Sequence, residues 1–181
     1  LENICLSPLQ PDDAPEMFAG LSDERGYAFI PDEPPETPEK LRERYIMLSS
    51  GGTPDGREIW LNLIIRYGDD RRPAGYTQAT LTGQEALVAY HVFPSLWRNG
   101  IATAAMTLML NDLFARDPIH TARAFVDTRN AGSVALLKKL GFTLLRKIVN
   151  ADFFRGSQSD EYEFTLTREA WCTDSDKSLI K

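Results

Sequence analysis

The chain has 181 residues, 43% of them hydrophobic and 25% charged, which suits one compact domain over residues 1–181 with a substantial core. A net charge of −6 argues against the basic face that general nucleic-acid binding needs, and mildly favours a cationic partner. No apolar run approaches the roughly 20 residues of a membrane span. Cys5 and Cys172 form no CxxC or Cys/His cluster, so no metal site and a reducing, cytoplasmic setting are expected.

The start, Leu1-Glu2-Asn3-Ile4, has neither the basic nor the apolar region of a signal peptide. Ile4-Cys5-Leu6 reads as a short edge strand. Pro11-Asp12-Asp13 then opens a helix, with Ala14, Met17, Phe18 and Leu21 at helical spacing, so a short amphipathic helix is predicted from Asp13 to Leu21. Ser22 to Pro38 is irregular and rich in proline, with acidic residues and the aromatics Tyr27 and Phe29. It reads either as a substrate-facing lid or as a solvated surface loop. Thr37-Pro38 has the pattern of an N-cap with proline at the first helical position, starting a helix that runs to Leu48.

Three strand-like segments follow: Glu58 to Arg66, Arg72 to Leu81 with Gly75 marking a bulge, and Glu85 to Phe93 ended by Pro94. Their short connections predict an antiparallel meander. The second half alternates: a helix from Asn99 to Ala115, a strand from His120 to Val126, and a helix from Asn130 to Leu140 closed by Gly141. Strands from Phe142 to Val149 and from Glu161 to Thr167 come last. The order β-α-α-β-β-β-α-β-α-β-β predicts a mixed α/β (α+β) fold. Its sheet is mostly antiparallel, with about seven strands flanked by helices.

The turn Trp97-Arg98-Asn99-Gly100-Ile101-Ala102-Thr103 lies between a strand and a long helix. A helix N-terminus presents unpaired N–H groups and a partial positive charge of roughly +0.5, a natural seat for a phosphate. Close approach needs a residue without a side chain, met by Gly100, and a small one after it, met by Ala102. Thr103 offers a hydroxyl and Arg98 a mobile charge. An ordinary tight strand-to-helix connection would also fit these residues.

This segment resembles motif A of the GNAT superfamily of N-acetyltransferases, Gln/Arg-x-x-Gly-x-Gly/Ala, with Trp97 in place of Gln/Arg. Trp97, Gly100, Ala102 and Thr103 match the Trp-Gly-Lys-Gly-Tyr-Ala-Thr form of the branch resembling ribosomal-protein and aminoglycoside acetyltransferases. Downstream, Asn130 through Phe142 is similar to the superfamily's Asn-x-x-Ser/Ala…Leu-Gly-Phe helix. Leu6-Ser7-Pro8-Leu9 with Asp13-Ala14 weakly resembles the branch's opening, with Ser7 in an Arg place.

The resemblance implies the GNAT fold and acetyl-CoA as cosubstrate. The backbone of His91, Val92 and Phe93 would pair with the pantetheine arm, and the amides from Arg98 to Thr103 would hold the pyrophosphate. Asn130 would cap its helix and touch the pantetheine or acetyl end. Ser133 stands where the resembled branch often has a serine able to hydrogen-bond the thiol sulfur, and the tyrosine that many relatives use as acid is replaced by Leu137. Glu85 is the nearest carboxylate for a general base, with His91 as the alternative. Lys138, Lys139 and Arg129 are candidates for the 3′-phosphate, and dimers through the final strands are frequent in the superfamily, which leaves a homodimer open. The function implied is transfer of acetyl to a primary amine, of a small molecule or a peptide N-terminus. A GNAT-like acyl-CoA-binding module without turnover and a plain α/β scaffold are the competing readings.

Overall fold

The computed structural model describes residues 3–178. Strand β1 (Ile4–Pro8) leads into helices α1 (Ala14–Leu21) and α2 (Pro38–Leu48), then the meander β2 (Ile59–Tyr67), β3 (Arg72–Thr82) and β4 (Glu85–Val92). Helix α3 (Ile101–Ala115), strand β5 (Thr121–Asp127), helix α4 (Ala131–Lys139), the hairpin β6 (Thr143–Phe154) and β7 (Ser157–Thr167), and helix α5 (Arg168–Ser178) complete it. All seven strands join one sheet in the order β1-β2-β3-β4-β5-β7-β6, in which only the β4–β5 pair is parallel.

Local chemistry accounts for the elements. Thr37 caps α2 by accepting from Lys40 N at 3.2 Å, with Pro38 at the first helical position, and the helix buries Leu41 and Tyr45 one turn apart. In β4 the alternation is clean: Ala86 and Val88 are buried, whereas Glu85, Leu87 and Ala89 are exposed. Helix α3 buries Ile101, Ala105, Met106, Met109, Leu110, Leu113 and Phe114, a broad stripe, and each fully buried large side chain is worth roughly 1.5–3 kcal/mol.

The sheet thus has two covered faces. On one, α1 and α2 pack Met17, Leu21, Leu41 and Tyr45 onto Ile64 and Phe93. On the other, α3 and α4 pack Met106, Leu110, Leu113, Leu137 and Leu140 onto Ala79, Val88, Ala122, Ala124 and Phe164.

The expected bulge occurs at Gly75. Ile65 pairs with Gly75 and Arg66 with Pro73, leaving Ala74 extra, and a Cβ at Gly75 would stand 1.9 Å from the His91 carbonyl oxygen. Three expectations change. Helix α3 starts at Ile101, so Asn99 and Gly100 belong to the turn before it. The last two strands extend to Phe154 and back from Ser157, because Arg155 and Gly156 (φ 49° and 74°) form a two-residue turn that lets pairing continue to the tip. Thr167 starts a further helix, α5, by accepting from Ala170 N, and Trp171 docks it on α3 through Asn111 at 3.0 Å.

Candidate active site at the splayed strands

Strands β4 and β5 pair only at Glu85–Thr121, Ala86–Ala122 and Leu87–Arg123. Beyond Leu87 they diverge, while β4 stays bonded to β3 up to Val92 and β5 stays bonded to β7 up to Asp127. The result is a wedge-shaped gap in the middle of the sheet.

The Phe93 N–H donates to Ala74 O at 2.9 Å, toward β3. Backbone groups alternate in direction along a strand, so His91 also points toward β3, and Tyr90 and Val92 point into the gap. Of the three residues expected to offer backbone there, only Val92 does so, and its carbonyl is held by Trp97 Nε1 at 2.7 Å. Phe93 instead fills the core beneath α1. Tyr90 is the residue that sequence reasoning missed; strand alternation was the available signal.

The turn after β4 carries two left-handed residues, Arg98 (φ 64°) and Gly100 (φ 74°, ψ 0°). Only at Gly100 does the sequence supply the residue without a Cβ penalty. Asn99 Nδ2 ties the turn back to Leu96 O at 3.3 Å. The first intrahelical bond of α3 runs from Ala104 N to Gly100 O, which leaves the amides of Ile101, Ala102 and Thr103 at the helix end facing outward. Ile101 is otherwise a core residue, and Ala102 and Thr103 are half-buried. Successive N–H groups in such a turn make an anion-binding concavity.

Across the gap, α4 begins at Asn130, whose Oδ1 accepts from Ser133 N at 3.1 Å, so its capping role is realised. Ser133 lies one turn into α4, and its Oγ accepts from Tyr90 Oη at 2.8 Å. The turn before α4 is braced by Asp127. This carboxylate accepts from Arg129 N at 2.8 Å, Arg129 Nε at 2.9 Å and Ser159 Oγ at 2.7 Å. The Arg129 side chain, more than any other group, holds the Asp127 pKa down to about 2. Arg129, a candidate for the 3′-phosphate, is therefore turned onto Asp127 and over the Phe154 ring. Lys138 and Lys139 are exposed in the last turn of α4, at the opposite end from Ser133.

Glu85 stands at the paired end of β4, about 20 Å along the strand from His91. Arg123 Nη1 meets its carboxylate at 3.1 Å, and the same guanidinium bonds the buried Glu163. His91 lies on the α1/α2 face, 5.4 Å from the Tyr76 ring and 5.3 Å from the Tyr27 ring. Burial lowers its pKa to about 4, so the imidazole is neutral at pH 7, and its Nε2 has no hydrogen-bond partner among the described residues. Glu161, on β7 opposite Asp127, is pushed above the usual glutamate range by burial first, then by Asp152 and Asp127.

Next to this face is a cavity of about 240 Å³ beneath α2, lined by Tyr27, Asp32, Glu36, Arg44, Tyr45 and Tyr76, among others. The Tyr45 hydroxyl is buried there without a hydrogen-bond partner among the described residues. The cavity wall is fastened by the β6–β7 turn: Arg155 donates to the carbonyls of Tyr27 and Asp32. The irregular Ser22–Pro38 segment and the last hairpin therefore meet. Among the described residues no three His, Cys, Asp or Glu side chains converge as a metal-binding group, and no helix is long and apolar enough to cross a membrane.

Comparison with known proteins agrees with this geometry. A family model for the acetyltransferase (GNAT) domain matches residues 3–143. Among curated proteins none matches in sequence. Among solved structures, a spermidine N-acetyltransferase from Vibrio cholerae in complex with CoA and spermine superposes with a TM-score of 0.80 at 16% identity, over 95% of this chain and 99% of that one. A ribosomal-protein-S5-alanine acetyltransferase from Vibrio fischeri gives a TM-score of 0.80 at 16% identity, over 94% and 96%. A GNAT-family acetyltransferase from Bacillus anthracis gives 0.78 at 16%, over 93% and 96%. The free amides at the head of α3, the left-handed turn before them and the open edge of β4 fit the cosubstrate of that family, and the chain belongs to the GNAT acetyltransferases, acyltransferases that draw on acetyl-CoA.

Proposed function

We propose that the protein moves an acetyl group from acetyl-CoA to a primary amine, of a small molecule or a peptide N-terminus, by direct attack in a ternary complex. The observation that carries this reading is the β4–β5 splay, which leaves backbone groups of Tyr90 and the Val92 amide without a strand partner in mid-sheet, next to the unpaired amides of Ile101 to Thr103. When bound, acetyl-CoA supplies the thioester that the amine attacks. The chain's own contribution is mainly placement, worth on the order of 7–11 kcal/mol for a well-aligned pair. In this reading the amides from Arg98 to Thr103 hold the pyrophosphate, the edge of β4 orients the pantetheine arm, and Asn130 and Ser133 face its sulfur end.

The acceptor enters from the α1/α2 face, where His91 and the tyrosine-lined cavity lie. A neutral imidazole with a free Nε2 can accept the amine's proton, but a pKa near 4 makes it a weak base. This suits an α-amine of pKa about 8, which needs little help, better than a lysine-like amine near 10.4. Glu161, with its raised pKa, is a second group able to take the proton. Glu85, engaged by Arg123 at the paired end of the strand, is less suited to that role.

The same reading treats the chain as one domain, because a single sheet runs from β1 to β7. A reducing, cytoplasmic setting is supported by two free cysteines. A homodimer through the edge strand β6 is supported by its exposed Leu144, Leu145, Val149 and Phe153. The test is a screen of amines (polyamines, aminoglycosides, amino acids, N-terminal peptides) with acetyl-CoA, read by mass shift and thiol release. Acetylation of at least one acceptor is expected. Thermal stabilisation by CoA with no product from any amine would instead favour a binding module, and no stabilisation would remove the donor site.

A further inference from the structure

Tyr90 sits on the β4 face that packs against α3 and α4, in line with Ala86 and Val88, where strand alternation calls for an apolar residue. A tyrosine in such a place needs a partner for its hydroxyl. It finds one 43 positions along the chain, on the far side of the gap, where its Oη donates to Ser133 Oγ at 2.8 Å. The serine is fixed from a second direction, because its own N–H is held by the Asn130 cap at 3.1 Å. A serine hydroxyl has one proton to give and two lone pairs to receive. With one lone pair taken by Tyr90, the Ser133 proton is left to point elsewhere.

We propose that Tyr90 is a positioning residue for acyl transfer: its hydroxyl, by donating to Ser133 Oγ, turns the Ser133 proton toward the sulfur that leaves the thioester. The proposal rests on the acetyl-transfer reading above and adds to it what orients Ser133 toward the leaving group. In the covalent step the amine lone pair forms the C–N bond and the C–S bond breaks with its electron pair passing to sulfur. The proton that the thiol finally carries is the one lost by the amine. Ser133 lends a hydrogen bond to the developing thiolate, Tyr90 sustains it, and neither hydroxyl is consumed. Burial raises the Tyr90 pKa above the ordinary tyrosine range, against a smaller lowering by its bond to Ser133, so the hydroxyl keeps its proton near neutral pH.

The test compares wild type, Tyr90→Phe, Ser133→Ala and the double variant in two measurements. The first is a titration of the thiol of bound CoA by thiolate ultraviolet absorbance, with CoA affinity measured calorimetrically on the same samples. Wild type is expected to hold the bound thiol below its free pKa. Tyr90→Phe should raise it by about one unit, a tenfold change in the thiolate equilibrium, with CoA affinity within about twofold. The second is steady-state kinetics with an amine acceptor, where Tyr90→Phe should lower kcat about tenfold with the amine KM unchanged. The double variant should be no worse than Ser133→Ala, since Tyr90 acts through the serine. A Tyr90→Phe protein that binds CoA with an unshifted thiol pKa and an unchanged kcat would show a tyrosine that only fills space, and would overturn the proposal. If wild type binds CoA but acetylates nothing, the thiol titration still decides the hydrogen-bond relay, and acetyl transfer alone is lost. If wild type does not bind CoA, both fall together.

Discussion

On the α3 side of the splay, the turn before α3 and the cap of α4 are each made by residues close together in sequence, and Tyr90–Ser133 is the long-range bond across the gap. A left-handed turn at Arg98 to Gly100 exposes three amides, and Asn130 caps the helix that carries Ser133. On the α1/α2 side the contacts that shape the cavity wall and the His91 site are mostly long-range. The cavity wall is held by Arg155 reaching back to Tyr27 and Asp32 across more than a hundred residues, and His91 is packed between two tyrosines from other segments. Backbone geometry builds the α3 side, proposed for the acetyl donor, and tertiary packing builds the α1/α2 side, proposed for the acceptor. The first should therefore be sensitive to single backbone-altering changes and the second to loss of distant side chains.

The largest expected effect strikes the donor side. Gly100→Asp adds a side chain at φ 74°, costing about 1 kcal/mol of backbone strain, and a negative charge where a pyrophosphate would sit. CoA affinity should fall by roughly 100- to 1,000-fold in a folded protein, measured by calorimetry with circular dichroism as the control for folding. Unchanged affinity would mean that the turn does not hold the cosubstrate.

Next is acid. His91 has a folded pKa near 4 against about 6.5 unfolded, so its contribution to stability is fully present above pH 6.5 and is lost as the pH falls toward 4. The loss is on the order of 3 kcal/mol over that window. Urea unfolding at pH 7 and pH 4.5 should show it in wild type and show little of it in His91→Gln. With the two sides separate, acid should raise the amine KM, corrected for protonation of the free amine, before it weakens CoA binding.

A smaller effect is expected from Arg155→Ala, which removes the fastening between the hairpin tip and the Ser22–Pro38 segment. The amine KM should rise about tenfold while CoA affinity stays constant. An equal loss of both would blur the division between the sides. The smallest is Asn130→Ala, which should cost about 1 kcal/mol of stability in chemical denaturation, with Asn130→Ser losing far less.

The same division explains what could be read from the chain alone. Gly100 and Asn130 are demanded by the backbone at their own positions, so residue type and spacing reveal them, and the seven strands follow from alternation and turn residues. Tyr90 and Arg155 have partners 43 and 128 positions away, and no local pattern names such a partner. Glu85 is suggested only by the resembled family's carboxylate position early on this strand, and a position in the strand says nothing of the Arg123 opposite it. Helix α5 was missed because only the Thr167 cap announces it in an otherwise polar stretch.

Strand edges usually lie at the rim of a sheet, where another polypeptide can add to them. The edge left on β4 beyond Leu87 lies in mid-sheet, faced by β5 and covered on one side by α3 and α4. With β5 standing opposite, a neighbouring sheet cannot add to it as to an outer edge, so it carries less of that aggregation hazard. In the proposed function, what slides in is a slender, flexible arm bearing its own amide groups. The fold thereby screens its visitors by thickness before any side chain inspects them.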